Sequence, residues 1–169
     1  MKVIFLDVDG VLNNAATTEL TPTKFLGVSD SLIEIFRTIV DETNAKVVLT
    51  STWKCGTDTQ DLDYLYDKLG EKYKPIAVTK EPKGDLGFRG VGIKSYLSEH
   101  EVEEYVIIDD FEFDFEKEDL LEHFVWTQEL DGLTETDARK AIDILKGKLN
   151  TEEEIDKIKA GIHVWGYHK

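Results

Sequence analysis

A three-layer α/β/α sandwich around a parallel sheet is the fold this sequence predicts, and three observations carry the prediction. Short β-branched apolar runs alternate with amphipathic stretches of helical length along almost the whole chain. Such alternation implies parallel strands joined by right-handed crossovers, with helices covering both faces of the sheet. The 169 residues suit one domain with a real core, and no repeat, low-complexity tract or Pro/Gly-rich linker divides them.

The first strand is read at 3–6, Val-Ile-Phe-Leu, uniformly apolar as a strand buried on both faces must be. Ser29 or Asp30 then caps a helix on which Leu32, Ile35, Phe36, Ile39 and Val40 follow the helical period. A second strand is predicted at 46–49, and after it a helix over 58–69 with Leu62, Leu65, Tyr66 and Leu69 on one side. The next helix, over 92–99, carries Ile93, Tyr96 and Leu97. Strands at 105–108 and 123–126 follow. Thr134, with Asp137 three residues on, is a capping signature for a helix that turns Ala138, Ala141, Ile142 and Leu145 inward. Residues 1–150 are assigned to the main domain. Residues 151–169 form a helical and aromatic extension packed on it, with Trp165 and Tyr167 docking there or serving an oligomer contact.

Three strand ends carry the chemistry. The first strand runs into Asp7-Val8-Asp9-Gly10-Val11-Leu12-Asn13. In open parallel sheets ligands bind beyond the carboxyl ends of the strands, so Asp7 and Asp9 stand where reactions occur. Two carboxylates this close repel unless a cation lies between them or one holds a proton. Gly10 permits an immediate sharp turn. The second strand ends in Thr50-Ser51-Thr52-Trp53-Lys54, and hydroxyls and free amides at such a place are neutral donors for an anion. On their own these are turn or cap residues. The strand at 105–108 ends in Asp109-Asp110, so separate strands each close on paired acids. The bland alternative is a set of solvated acidic turns.

These segments resemble the motifs of phosphatases of the haloacid dehalogenase (HAD) superfamily. Asp9-Gly10-Val11-Leu12-Asn13, Leu49 to Lys54, Arg89-Gly90, Asp109-Asp110 and Asp131-Gly132-Leu133-Thr134 further resemble the HAD domains of Swiss-army-knife RNA-repair proteins. The resemblance extends to about Leu145. It implies a HAD-like Rossmannoid fold, with Asp7 as the nucleophile that forms an aspartyl-phosphate and Asp9 as general acid and then base. Thr50, with Ser51 as alternate, would bind the phosphoryl group, helped by Gly10. The motif III cation would be Arg89 or Lys94, and both stay open. Magnesium, which favours oxygen ligands in octahedral geometry, would be held by Asp7, the backbone carbonyl of Asp9 and Asp110, with Asp109 in support and Asp114 at longer range.

Composition limits the partners. With 20 basic and 35 acidic residues the chain has a formal charge of −15, which argues against tight binding of duplex nucleic acid. No apolar run approaches the roughly 20 residues that span a bilayer, so no membrane association is expected. Nothing at the N-terminus reads as a signal peptide, and the single cysteine, Cys55, excludes an internal disulfide; both suit the cytoplasm. His100, His123, His163 and His168 lack zinc-ligand spacing.

The intervals 13–46 and 54–89 leave no room for a large cap domain. An open site would take a phosphorylated small molecule or a nucleic-acid end, entered past Trp53, Lys54 and residues 80–83. A neighbouring subunit could close it, and the oligomeric state is open. The narrower reading is a nucleotidase or nucleic-acid 3′-end phosphatase. A different class of reading, a non-catalytic metal-binding or interaction module, sits poorly with retention of Asp9.

Overall fold

Five parallel strands pair in the order β3-β2-β1-β4-β5: β1 (Lys2–Leu6), β2 (Lys46–Leu49), β3 (Ala77–Val78), β4 (Glu104–Asp109) and β5 (Phe124–Trp126). The helices are α1 (Asp30–Thr43), α2 (Gln60–Leu69), α3 (Arg89–Glu99), α4 (Glu135–Leu145) and α5 (Glu152–Gly166). This computed structural model describes residues 1–56 and 58–166, without the side chains of 163–166. The sequence expectation for Trp165 and Tyr167 therefore lies outside the described residues.

Side chains alternate across each strand, and the two resulting faces carry different helices. Ile4, Leu6, Val47, Leu49, Val106 and Ile108 pack with Ile33, Phe36 and Ile39 of α1, Leu65 of α2 and Ala141 and Ile142 of α4. On the other face Val3, Phe5, Val48 and Ile107 meet Ile93 and Tyr96 of α3, with Ile155, Ile158 and Ile162 of α5 packed against the same cluster. This is the three-layer sandwich the sequence predicts, with no separate cap. Burying a side chain such as Phe36 or Ile39 contributes roughly 1.5–3 kcal/mol.

Caps set the helix limits. The Ser29 hydroxyl accepts from the amide of Leu32, and Asn44 ends α1 at φ 55°. Thr134 and Asp137 form the reciprocal capping box at α4. Among the described residues no helix is long and apolar enough to cross a membrane.

The strand order reverses between β1 and β4. The connection from β1 leads to β2 on one side, while the chain returns from β3 to place β4 on the other. Ligands of open α/β sheets bind at such a switch point, beyond the carboxyl ends of the strands.

Candidate active site

Parallel register sets the site. Leu6 pairs with both Leu49 and Ile108, so Asp7, Thr50 and Asp109, each one residue further, emerge side by side. The amide of Asp7 donates to the Ile108 carbonyl at 3.0 Å, and that of Thr50 to the Leu6 carbonyl at 2.9 Å. Leu6, Leu49 and Ile108 belong to the α1 face. By strand alternation the next residues turn toward the α3 face, where Arg89 is the first residue of α3.

Arg89 is buried there. Its Nη1 lies 3.1 Å from Oδ1 of Asp7 and 2.5 Å from Oδ2 of Asp109. The guanidinium also stacks on Phe113, 4.0 Å from the ring centroid. Lys94 stands exposed on α3 and forms no ion pair among the described residues. Of the two cations the sequence offers, the fold brings Arg89 to the carboxylates and leaves Lys94 in solvent.

Asp7, Asp109 and Asp110 each present an oxygen within 4.8 Å of the others. Burial pushes the Asp7 carboxyl up, against the pull of Arg89, and pushes Asp109 well up, with Asp7 adding to the effect. Asp110 is pushed up to about 6, first by burial and then by Asp7. The Arg89 guanidinium answers Asp7 and Asp109 and does not pair with Asp110, and the excess negative charge suits a cation. Asp109 already accepts from Arg89 and, through Oδ1, from the Phe111 amide at 3.1 Å. Gly10, at φ +74°, leaves the space that Asp110 fills; a Cβ there would overlap Oδ2 of Asp110.

Asp9 points elsewhere. It is exposed, and its side chain is not a member of the carboxylate cluster. Its Oδ1 accepts from Nδ2 of Asn13 at 2.9 Å and its Oδ2 from the indole of Trp53 at 3.1 Å. These bonds hold the carboxyl in a cleft of about 630 Å³.

Two buried polar atoms have no hydrogen-bond partner among the described residues: the Thr50 hydroxyl and Nε of Arg89. Buried polar groups are nearly always satisfied, so both point to a ligand that supplies acceptors. Ser51, also buried, accepts from the Trp53 amide at 3.3 Å and starts a 3₁₀ turn over Thr52–Cys55.

Three sequence expectations are corrected. The amide of Gly10 donates to Oδ1 of Asn13 at 2.9 Å, so it is not free for phosphate. Lys54 does not line the entrance: its side chain is 5 % exposed, bonded to Glu81 at 2.6 Å and Thr79 at 2.7 Å. Asp114 lies outside the group of Asp7, Asp109 and Asp110. Its carboxylate accepts the amides of Gly90 at 2.5 Å and Val91 at 3.2 Å, capping the start of α3 beside Arg89.

Other contributors escaped the sequence. Thr127 donates to the Gly10 carbonyl at 2.8 Å, and the Trp126 indole donates to the Asp110 carbonyl at 2.8 Å. Both follow or end β5 and carry no motif signal of their own.

The family model described as the HAD domain in Swiss Army Knife RNA repair proteins matches residues 3–138. No curated protein and no solved structure matches the chain.

Proposed function

Because the chain belongs to the family of HAD domains in Swiss Army Knife RNA repair proteins, we propose that it is a magnesium-dependent phosphomonoester hydrolase working through an aspartyl-phosphate on Asp7. Membership supports hydrolase chemistry of the phosphatase type. The observation that carries the finer reading is the group of buried Asp7 and Asp109 with half-buried Asp110, in which Arg89 pairs with the first two, beside the unpartnered Thr50 hydroxyl.

The donor set fits magnesium, a hard cation that takes carboxylate oxygens: Asp7 and Asp110 would hold it, with Asp109 behind them. When bound, the ion supplies charge neutralisation for the phosphoryl oxygens. The chain's own residues do the rest. Arg89 and the Thr50 hydroxyl bind the phosphoryl group, and Arg89 keeps Asp7 oriented. An oxygen of Asp7 attacks phosphorus as the bond to the leaving oxygen breaks, and Asp9 gives that oxygen its proton. Asp9 then takes a proton from water, whose oxygen attacks phosphorus, and Asp7 leaves as a carboxylate with release of phosphate. Asn13 and Trp53 keep Asp9 on the cleft side throughout.

Purified protein with magnesium should release phosphate from p-nitrophenyl phosphate, and Asp7→Asn should abolish the release. Wild-type protein that releases none would overturn catalysis and leave the metal-binding or interaction module standing. The family's link to RNA repair favours a second, narrower reading, a nucleotidase or nucleic-acid 3′-end phosphatase.

A further inference from the structure

The cleft over Asp9 has a built wall. Residues 19–27 fold back as a hairpin, with Leu20 and Leu26 bridged antiparallel and the Thr21 amide bonded to the Phe25 carbonyl at 2.8 Å. The hairpin is latched to α2. Asp61 accepts from the Thr21 hydroxyl at 3.0 Å, from the Thr23 amide at 3.1 Å and from the Thr23 hydroxyl. Tyr64 donates to Glu19 at 2.6 Å, and Lys68 pairs with the same carboxylate at 2.8 Å. The ordering therefore precedes any ligand, yet it leaves Phe25 69 % and Leu26 40 % exposed. Both line the cleft, together with Trp53, Asp9, Asp58 and Asp61.

Charge separates this cleft from the phosphoryl site next door. Arg89 and the unpartnered Thr50 hydroxyl belong to the phosphoryl site. The cleft has three carboxylates and, among the described residues that line it, no lysine or arginine. An apolar and aromatic lining of this size suits a ligand with a flat or apolar body, and the carboxylates accept hydrogen bonds from hydroxyl or amino groups. A second phosphate placed there would meet the charges of Asp58 and Asp61 and no lining cation among the described residues.

We infer that this cleft receives the leaving alcohol, and that it selects a ring-bearing, uncharged alcohol of nucleoside size with no second phosphate. The inference rests on the reading of Asp7 and Asp9 given above. Of the two narrower readings above it favours the nucleotidase over the 3′-end phosphatase, because the neighbouring phosphates of a strand would crowd Asp58 and Asp61.

The test compares kcat/KM, with magnesium, for adenosine 3′-phosphate, adenosine 3′,5′-bisphosphate and a 3′-phosphorylated oligonucleotide, with p-nitrophenyl phosphate as the general ester. The monophosphate should exceed the other two nucleotides by about tenfold. Asp58→Lys, a change at an exposed position, should narrow the gap to the bisphosphate by about fivefold. Phe25→Ala should raise KM for adenosine 3′-phosphate more than for glycerol 2-phosphate, which has no ring. If p-nitrophenyl phosphate is cleaved while the bisphosphate or oligonucleotide equals the monophosphate, the selectivity is overturned and the phosphatase reading stands. If no ester is cleaved, both fall.

Discussion

The indole N–H of Trp53 donates to Oδ2 of Asp9 across 3.1 Å, from the turn that closes β2 to the turn that closes β1. Asn13 grips the other oxygen of the same carboxyl at 2.9 Å. The acid is thereby aimed at the cleft and away from the cluster of Asp7, Asp109 and Asp110. Trp53→Phe keeps the ring and removes the donor. It should lower kcat/KM by about tenfold for an alkyl phosphate, whose leaving alkoxide needs a proton. For p-nitrophenyl phosphate, whose leaving group departs unaided, the loss should stay near twofold. Equal losses on both esters would show that the indole serves packing alone.

Arg89 and Lys94 lie five residues apart on one helix, yet their removal should have very unequal consequences. Arg89 is the shared partner of Asp7 and Asp109. Arg89→Ala leaves two buried carboxyls without their counter-charge and should destabilise the protein by about 3 kcal/mol at pH 8, read from urea unfolding. Phosphate release should also fall to background. Lys94→Ala, at an exposed position, should stay within about 0.5 kcal/mol of wild type and within twofold in activity. A large activity loss at Lys94 would move the motif III role there.

That contrast marks where the sequence stops being legible. The strand ends could be read because an apolar run closing on an acid or hydroxyl is a local signal, and parallel register does the rest. β3 could not: two residues, Ala77 and Val78, pair with β2 alone at the sheet edge, too few for any periodicity. The helix predicted from residue 92 starts instead at Arg89, because Asp114, beyond β4, caps it. A cap from 24 residues away leaves no local trace. The same long-range contact brings Arg89, and not Lys94, to the carboxylates at the strand ends. Lys54 looked like an entrance residue for a related reason; Glu81, its buried partner, comes from a loop with no periodic signal.

The carboxylate cluster should give the metal-free protein an unusual pH profile. A carboxyl whose folded pKa is raised contributes stability that is full below its unfolded value and is lost as pH rises through the folded one. Asp110, pushed from 3.8 up to about 6, therefore costs stability as the pH climbs from about 4 to 7, and Asp7 and Asp109 act in the same direction. Glu19, Asp41 and Glu154 are shifted down, and their contribution fades only below the ordinary carboxylate range. In chelator, Tm should fall over that window. Magnesium at pH 7.5 should restore it by mass action. Asp110→Asn should flatten the profile and remove most of the magnesium-induced rise. An unchanged response to magnesium in this variant would take Asp110 out of the metal site.

The C-terminal helix reaches the same cluster through one ring. The Trp126 indole donates to the Asp110 carbonyl at 2.8 Å, and the other edge of that ring lies under Gly161 of α5. A Cβ on Gly161 would stand 2.7 Å from Cζ3 of Trp126, closer than a real contact allows, so the ring or the helix above it must shift. Ring and carbonyl are coupled by a hydrogen bond, and a displaced indole shifts or releases the backbone of a proposed magnesium ligand. Gly161→Ala should accordingly raise the magnesium concentration for half-maximal activity by about threefold, with kcat at saturating metal little changed. Trp126→Phe, which keeps the ring against α5 and loses the donor, should do the same. A lowered Tm with an unaltered magnesium requirement in both variants would make α5 a stabilising strap with no hold on the site.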